Sequence, residues 1–225
     1  MSGPKAPSRV SRQAREASRN QDPRSLTVVD TGPVRRSVSV AGGALVVGSL
    51  ALLSSRRLQR ADVRAGDLLR RSRSRPSDRV VAAATDLGSL YGVIGVSAAL
   101  ALAGHRRLAC EVALVGATTW TLSQGAKTRV KRARPFEADG VIRLIRAPTG
   151  SSYPSTHAAV AAATMTVVAS DGTPPLRVAA GGLTAFVAAS RVYVGVHYPS
   201  DVVGGVGIGL LLVSGWRALR RILRA

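Results

Sequence analysis

Six apolar runs, Ser37 to Leu53, Val80 to Ala103, Leu108 to Ala126, His157 to Ser170, Leu176 to Ala189 and Val202 to Trp216, alternate with segments that carry almost all of the chain's charge. Several are shorter than the roughly 20 residues that cross a bilayer unaided, so a soluble bundle of core helices is the competing arrangement. Two features favour the membrane. Each run is apolar on every face instead of along one stripe, and the charges fall between runs. Tilt and snorkelling of flanking arginines accommodate short spans. Gly205 and Gly209 have the four-residue spacing that lets helices approach closely in lipid, although two glycines in an ordinary helix fit equally well. The expected fold is all-α: a six-transmembrane-helix bundle with its site at one membrane face.

Charge then divides the chain. The net charge of +20 is concentrated before residue 37, between Arg56 and Arg79, and in the last nine residues. Residues 1–34 have few large apolar side chains to offset the entropy of ordering, and are expected to be a disordered basic tail ahead of a membrane domain at 35–225. Arg35-Arg36 before an apolar run resembles a twin-arginine export signal. Ser-Ser-Arg-Arg follows the run instead of a small-x-small cleavage site, which favours a retained anchor. Arg56 to Arg79 interleaves Leu58, Val63, Leu68 and Leu69 with arginines, as an amphipathic connector on anionic lipid or a solvated loop would. A basic chain also raises nucleic acid as a partner. With 4% aromatic residues and no zinc-finger spacing or basic heptads, no nucleic-acid partner is expected. Cys110 is the sole cysteine. It is expected to be a small buried side chain, and no disulfide or cysteine-ligated metal follows from it.

Three polar segments interrupt this pattern. Six spans put Lys127 to Pro135, Pro154 to His157 and Ser190 to Asp201 on one side of the bilayer, where ionisable groups are costly unless they pair or act. Lys127, Arg134 and Arg191 offer three fixed cations. Ser155 and backbone N–H groups near Thr156, at a turn entering a helix, offer neutral donors. This set suits the equatorial oxygens of a transferring phosphoryl group. His197 can attack phosphorus if its other ring nitrogen is held by Asp201, one helical turn on, with Pro199 tolerated in the first turn. His157 remains to protonate the leaving oxygen. No metal or other cofactor is expected. Arg129, Lys131 and Arg132 read as an ordinary basic patch at the interface. Once the site's own cations are set aside, basic residues on the two sides nearly balance, and charge leaves orientation open.

Lys127-x6-Arg134-Pro135, Pro154-Ser155-Thr156-His157 and Ser190-Arg191-x5-His197-x3-Asp201 together resemble the three-part signature of the type 2 phosphatidic acid phosphatase and haloperoxidase superfamily, across roughly residues 60 to 216. The resemblance implies a six-helix membrane enzyme that dephosphorylates lipid phosphates through a phosphohistidine. Lys127, Arg134, Ser155, Thr156 and Arg191 would bind phosphate, His157 would be the acid, His197 the nucleophile and Asp201 its orienting partner. It also implies a multi-pass protein of the cell membrane with its site on the outer face. Thr156 stands where the family most often has glycine. It retains the N–H, and its hydroxyl adds a donor.

The implied partners are a lipid phosphate substrate and the membrane, and the oligomeric state is left open. The substrate classes are phosphatidic acid, phosphatidylglycerol phosphate, a polyprenyl phosphate or diphosphate, and a polyprenyl phosphosugar. Two alternatives stand beside this reading. A vanadium-dependent haloperoxidase is covered by the same resemblance, but those enzymes are soluble. A non-catalytic binder of anionic lipid would need none of His157, His197 and Asp201.

Overall fold

The computed structural model describes residues 32–170 and 172–223, the side chains of 32–36 excepted. The expected basic tail therefore lies outside the described residues, as do the side chains of Arg35 and Arg36. Gly32 to Val34, expected in the tail, already belong to the first helix. Every regular element among the described residues is helical.

Helix α1 (Gly32–Leu53) is followed by α2 (Arg56–Arg70), bent 108° from it. Next come α3 (Arg75–Ala84), a 3₁₀ turn (Thr85–Gly88) and α4 (Leu90–Leu102), then α5 (Arg106–Lys127), the short α6 (Pro135–Ala138), α7 (Thr156–Val168), α8 (Pro174–Tyr193) and α9 (Pro199–Ile222). All six apolar runs fall on helices. By length and composition α9 can cross a membrane, and up to three spans result if each of two bent pairs counts as one.

Helix α7 is the centre. Ten of its 13 residues, from Thr156 to Val167, are buried, and it packs against α5, α8, α9 and the 3₁₀ turn. A helix of this length is only about 20 Å long. It is apolar all round because protein surrounds it on every side. The helices around it are built differently. In α5, Ala109, Val112, Val115, Gly116, Thr119 and Ser123 form one buried stripe, while Leu114 and Leu122 are exposed. Tyr91, Ile94 and Leu102 on α4 also point outward.

Alanines and glycines let the backbones close. A Cβ at Gly205 would run into the carbonyl oxygen of Ser155, and one at Gly209 into that of Ala159. The four-residue glycine spacing on α9 thus matches one turn of α7.

Three sequence expectations need correction. Val80 to Ala103 is not one continuous helix. It breaks at the 3₁₀ turn, with a 72° bend, because Gly88 packs directly on the backbone of His157 and turns the chain over the N-terminus of α7. Cys110 is exposed, since it lies beside the buried stripe of α5 and not within it. The connector is neither a loop nor wholly surface. Ser55 caps α2 by accepting the N–H of Leu58, and Asp62 and Gly66 are buried on its inner face. Beyond α2, Arg73 donates to the carbonyls of Tyr193 and Ile142, and Arg70 to that of Val192. Arg73 thus takes up the Tyr193 carbonyl at the C-terminal end of α8, and Arg70 adds a bond to the Val192 carbonyl, which also accepts the Gly195 N–H.

Candidate active site

His197 lies in the loop between α8 and α9. Gly195, with φ +82°, turns the chain there, and a Cβ on it would meet Ile142 O at 2.8 Å. Pro199 then starts α9, where its missing N–H costs nothing. Asp201 is the third residue of that helix. Its Oδ2 accepts the Tyr198 N–H at 2.9 Å and the Ser152 hydroxyl at 2.5 Å, and its Oδ1 accepts from Arg132 at 2.6 Å. His197 Nδ1 is 3.6 Å from Asp201 Oδ2, an electrostatic pairing longer than a hydrogen bond. Both side chains are buried.

The other ring nitrogen, Nε2, faces Arg134 Nη1 at 3.4 Å. Arg134 is fully buried. It donates to the carbonyls of Val196 (2.9 Å), Gly150 (3.1 Å), Thr149 (3.2 Å) and Ser151 (3.3 Å). Expected as a phosphate ligand, Arg134 acts here as a brace that joins the 149–151 loop to the histidine loop and turns its charge towards Nε2. Burial, reinforced by Arg134 and Arg191 against the opposite pull of Asp201, pushes the His197 imidazole down to about 3. Such a shift holds the ring in its neutral form.

A second set of groups sits at the N-terminus of α7. Ser155 precedes the helix in extended backbone without capping it through its side chain, so the first N–H groups of α7 keep their positive end free for an anion. His157 Nε2 lies 3.4 Å from Asp86 Oδ1, and Arg191 Nη1 lies 3.8 Å from the same oxygen. Arg191 Nη1 also donates to Thr85 Oγ1 at 3.0 Å, and that hydroxyl pairs with Ser190 at 2.8 Å. Thr156 departs from expectation: its hydroxyl donates to Gln124 Oε1 at 3.1 Å, which leaves its N–H for a ligand. Lys127 is within electrostatic reach of Arg134, Arg191 and Asp201. It lines an open cleft of ≈ 730 Å³ with Gln124, Thr128, Arg132, Glu137 and Ser151.

Buried polar atoms are nearly always paired, so those left over mark function. Among the described residues seven buried side-chain atoms lack a hydrogen-bond partner, and four of these are Ser155 Oγ, His157 Nε2, Arg191 Nε and His197 Nδ1. Three of the four lie in the set of donors and acids expected around a phosphoryl group, and the fourth faces Asp201. The described residues contain no cluster of three metal-ligating side chains.

Sequence reasoning missed Asp86 and Thr85, which hold His157 and Arg191, and it missed Arg132 with Asp62, which hold Asp201. One signal was available. Asp86 is an unexplained carboxylate inside an apolar run, the kind of residue that lipid tolerates only with a partner.

Fold and site together define a helical bundle protein with a cluster of cations beside a buried histidine–aspartate pair. The chain belongs to the PAP2 superfamily, whose family model matches residues 105–223. It is 34% identical over 109 residues to phosphatidylglycerophosphatase B of Bacillus subtilis (strain 168), a match covering 44% of this chain and 51% of that protein. The match thus spans about half the length of this curated relative. The fold is similar to the crystal structure of a transmembrane PAP2 type phosphatidylglycerolphosphate phosphatase from Bacillus subtilis, with a TM-score of 0.69 at 23% identity over 82% of this chain and 96% of that one. It is also similar to Aquifex aeolicus LpxE, with a TM-score of 0.61 at 23% identity over 70% and 94% of the two chains.

Proposed function

We propose that this protein is an integral-membrane lipid phosphate phosphatase that works without a metal, through a phosphohistidine on His197. The observation that carries the reading is the placement of the His197 ring, with Nδ1 turned to Asp201 and Nε2 turned to the Arg134 charge. The Nε2 lone pair forms a bond to phosphorus as the bond from phosphorus to the lipid oxygen breaks. His157 gives that oxygen its proton, and the alcohol leaves. Water then attacks the phosphorus, His157 takes up a proton from it, and the P–N bond breaks to release phosphate and restore both histidines. Positive charge that develops on the His197 ring is balanced by Asp201. The phosphoryl oxygens are met by Lys127, Arg191, Ser155 and the first N–H groups of α7.

The substrate is a lipid carrying a phosphomonoester or diphosphate. Phosphatidylglycerol phosphate leads the list on the likeness to phosphatidylglycerophosphatase B. Phosphatidic acid, polyprenyl phosphates and polyprenyl phosphosugars share the same reacting group. The apolar runs form six membrane segments, with the site on the outer face. In support, exposed Leu114, Leu122, Tyr91 and Ile94 give the bundle an apolar exterior. No observation favours the haloperoxidase reading over this one.

Phosphate release by the detergent-purified full chain from a panel of lipid phosphates, with a chelator present, tests the proposal. Release from one lipid class that His197→Ala abolishes is the expected outcome. Full turnover by His197→Ala overturns the mechanism.

A further inference from the structure

Arg132 reads in the sequence as one of several interfacial cations, yet its guanidinium is clamped between two buried carboxylates. Nη1 donates to Asp201 Oδ1 at 2.6 Å and to Ser200 Oγ at 2.7 Å, and Nη2 donates to Asp62 Oδ2 at 2.8 Å. The guanidinium lies over the Tyr198 ring, 3.9 Å from its centroid. Asp62 comes from α2, remote in sequence, and is 4% exposed. Its Oδ1 accepts the Ser200 N–H at 2.9 Å and its Oδ2 the Ser200 hydroxyl at 2.5 Å. A carboxylate from α2 thereby caps a free N–H in the first turn of α9.

Two consequences follow for Asp201. Rotation of its carboxylate would swing an oxygen away from His197 Nδ1, and the bond from Arg132 to Oδ1 opposes this together with the Tyr198 N–H and the Ser152 hydroxyl on Oδ2. Charge matters equally. An arginine paired with Asp201 alone would neutralise the carboxylate that must balance positive charge on the histidine ring. The second carboxylate, Asp62, shares the arginine and leaves the trio with a net negative charge. We propose that Arg132 is a positioning residue that presents Asp201 Oδ2 to His197, and that Asp62 preserves the negative charge of Asp201 by drawing part of Arg132's charge to itself. The inference rests on the reading of His197 as the nucleophile. Burial alone would lower the Arg132 pKa, but Asp201 and Asp62 together raise it, so the guanidinium stays charged within the clamp.

The test is steady-state hydrolysis of phosphatidylglycerol phosphate in detergent micelles by the full-length protein, with inorganic phosphate as a competing ligand. Asp62→Asn keeps the size of the side chain and removes one charge. It is expected to lower kcat about ten- to a hundredfold, the usual range for losing an outer-shell partner. KM and the inhibition constant of inorganic phosphate should stay within about twofold of wild type, because the phosphate ligands are untouched. Arg132→Lys keeps the charge without the planar fork and should show the same split between kcat and KM. It decides the matter if Asp62→Asn does not fold. Wild-type kcat in the folded variants overturns the proposal. So does a fall in kcat matched by weaker phosphate inhibition and a lower melting temperature, since that is general loosening. His197→Ala, run alongside, separates two failures. If it is inactive while Asp62→Asn is normal, the positioning role alone fails; if it turns over normally, the nucleophile assignment fails and the positioning role with it.

Discussion

The two histidines of the site occupy opposite kinds of surroundings. The His197 side chain is 2% exposed, and its partner Asp201 is itself held by Arg132, Ser152 and the Tyr198 N–H. The His157 side chain is 23% exposed and faces Asp86, whose side chain is 68% exposed. On the mechanism proposed above, the contrast follows the two tasks. A nucleophile gains from a fixed approach to phosphorus and from exclusion of water. A group that gives up a proton and takes one back needs a route to solvent, and the exposed Asp86 carboxylate that faces the buried His157 Nε2 offers one. The α8–α9 corner is buried, while at the N-terminus of α7 the carboxylate that faces the histidine is open to water.

Changing the leaving group is expected to expose this contrast most strongly. With a lipid substrate, His157→Ala should lose about a hundred- to ten-thousandfold in turnover, the usual worth of a general acid. With p-nitrophenyl phosphate, whose leaving oxygen needs no proton, the same variant should give a stoichiometric burst of nitrophenolate followed by slow turnover. His197→Ala should give neither burst nor turnover. Rapid-mixing absorbance measurements check this, and equal loss on both substrates in His157→Ala would end the division of roles.

A smaller effect concerns stability in acid. The folded His197 pKa, about 3, lies below its ordinary value of 6.5, so between these limits the unfolded chain binds a proton that the folded chain does not. Stability from this group is fully present above pH 6.5 and is lost as pH falls towards 3. The melting temperature of the wild type in detergent should therefore drop more steeply across that window than that of His197→Gln, which cannot titrate. Parallel curves would mean that the imidazole is not held neutral.

The smallest expected change is at the exposed acid. Water screens Asp86, as it does exposed ion pairs in general, so Asp86→Asn should lower kcat/KM for a lipid phosphate only about two- to fivefold. A loss as large as that of His157→Ala would place Asp86 in the chemistry and remove the contrast between the two corners.

Much of this was legible in advance. Five of the six apolar runs each lie on one helix, whereas Val80 to Ala103 is divided by a 3₁₀ turn, and of the two readings open for Gly205 and Gly209 the structure shows close helix approach. His197 and Asp201 could be paired from sequence because they lie four residues apart around a helix start that Pro199 signals. His157 and Arg191, grouped from sequence, both face Asp86 Oδ1. Arg134, grouped from sequence with His197, lies against its ring, although its donors are spent mostly on backbone carbonyls. Arg132 read as surface charge because no local pattern separates it from Lys131. Its importance comes from Asp62, 70 positions away. Arg70 and Arg73 read as lipid-facing or solvated for the same reason, and they prove to be caps on the end of α8.

The sequence by itself determined the helices, the polar breaks between them and the types of chemical group available, since hydrophobic runs, proline at a helix start and motif spacing are local properties. Tertiary structure decided which cation braces the backbone, which clamps Asp201 and which faces Asp86. Those distinctions depend on the partner each charge finds when it leaves water, and an ion pair between segments remote in the chain exists only once packing has brought them within a few ångströms.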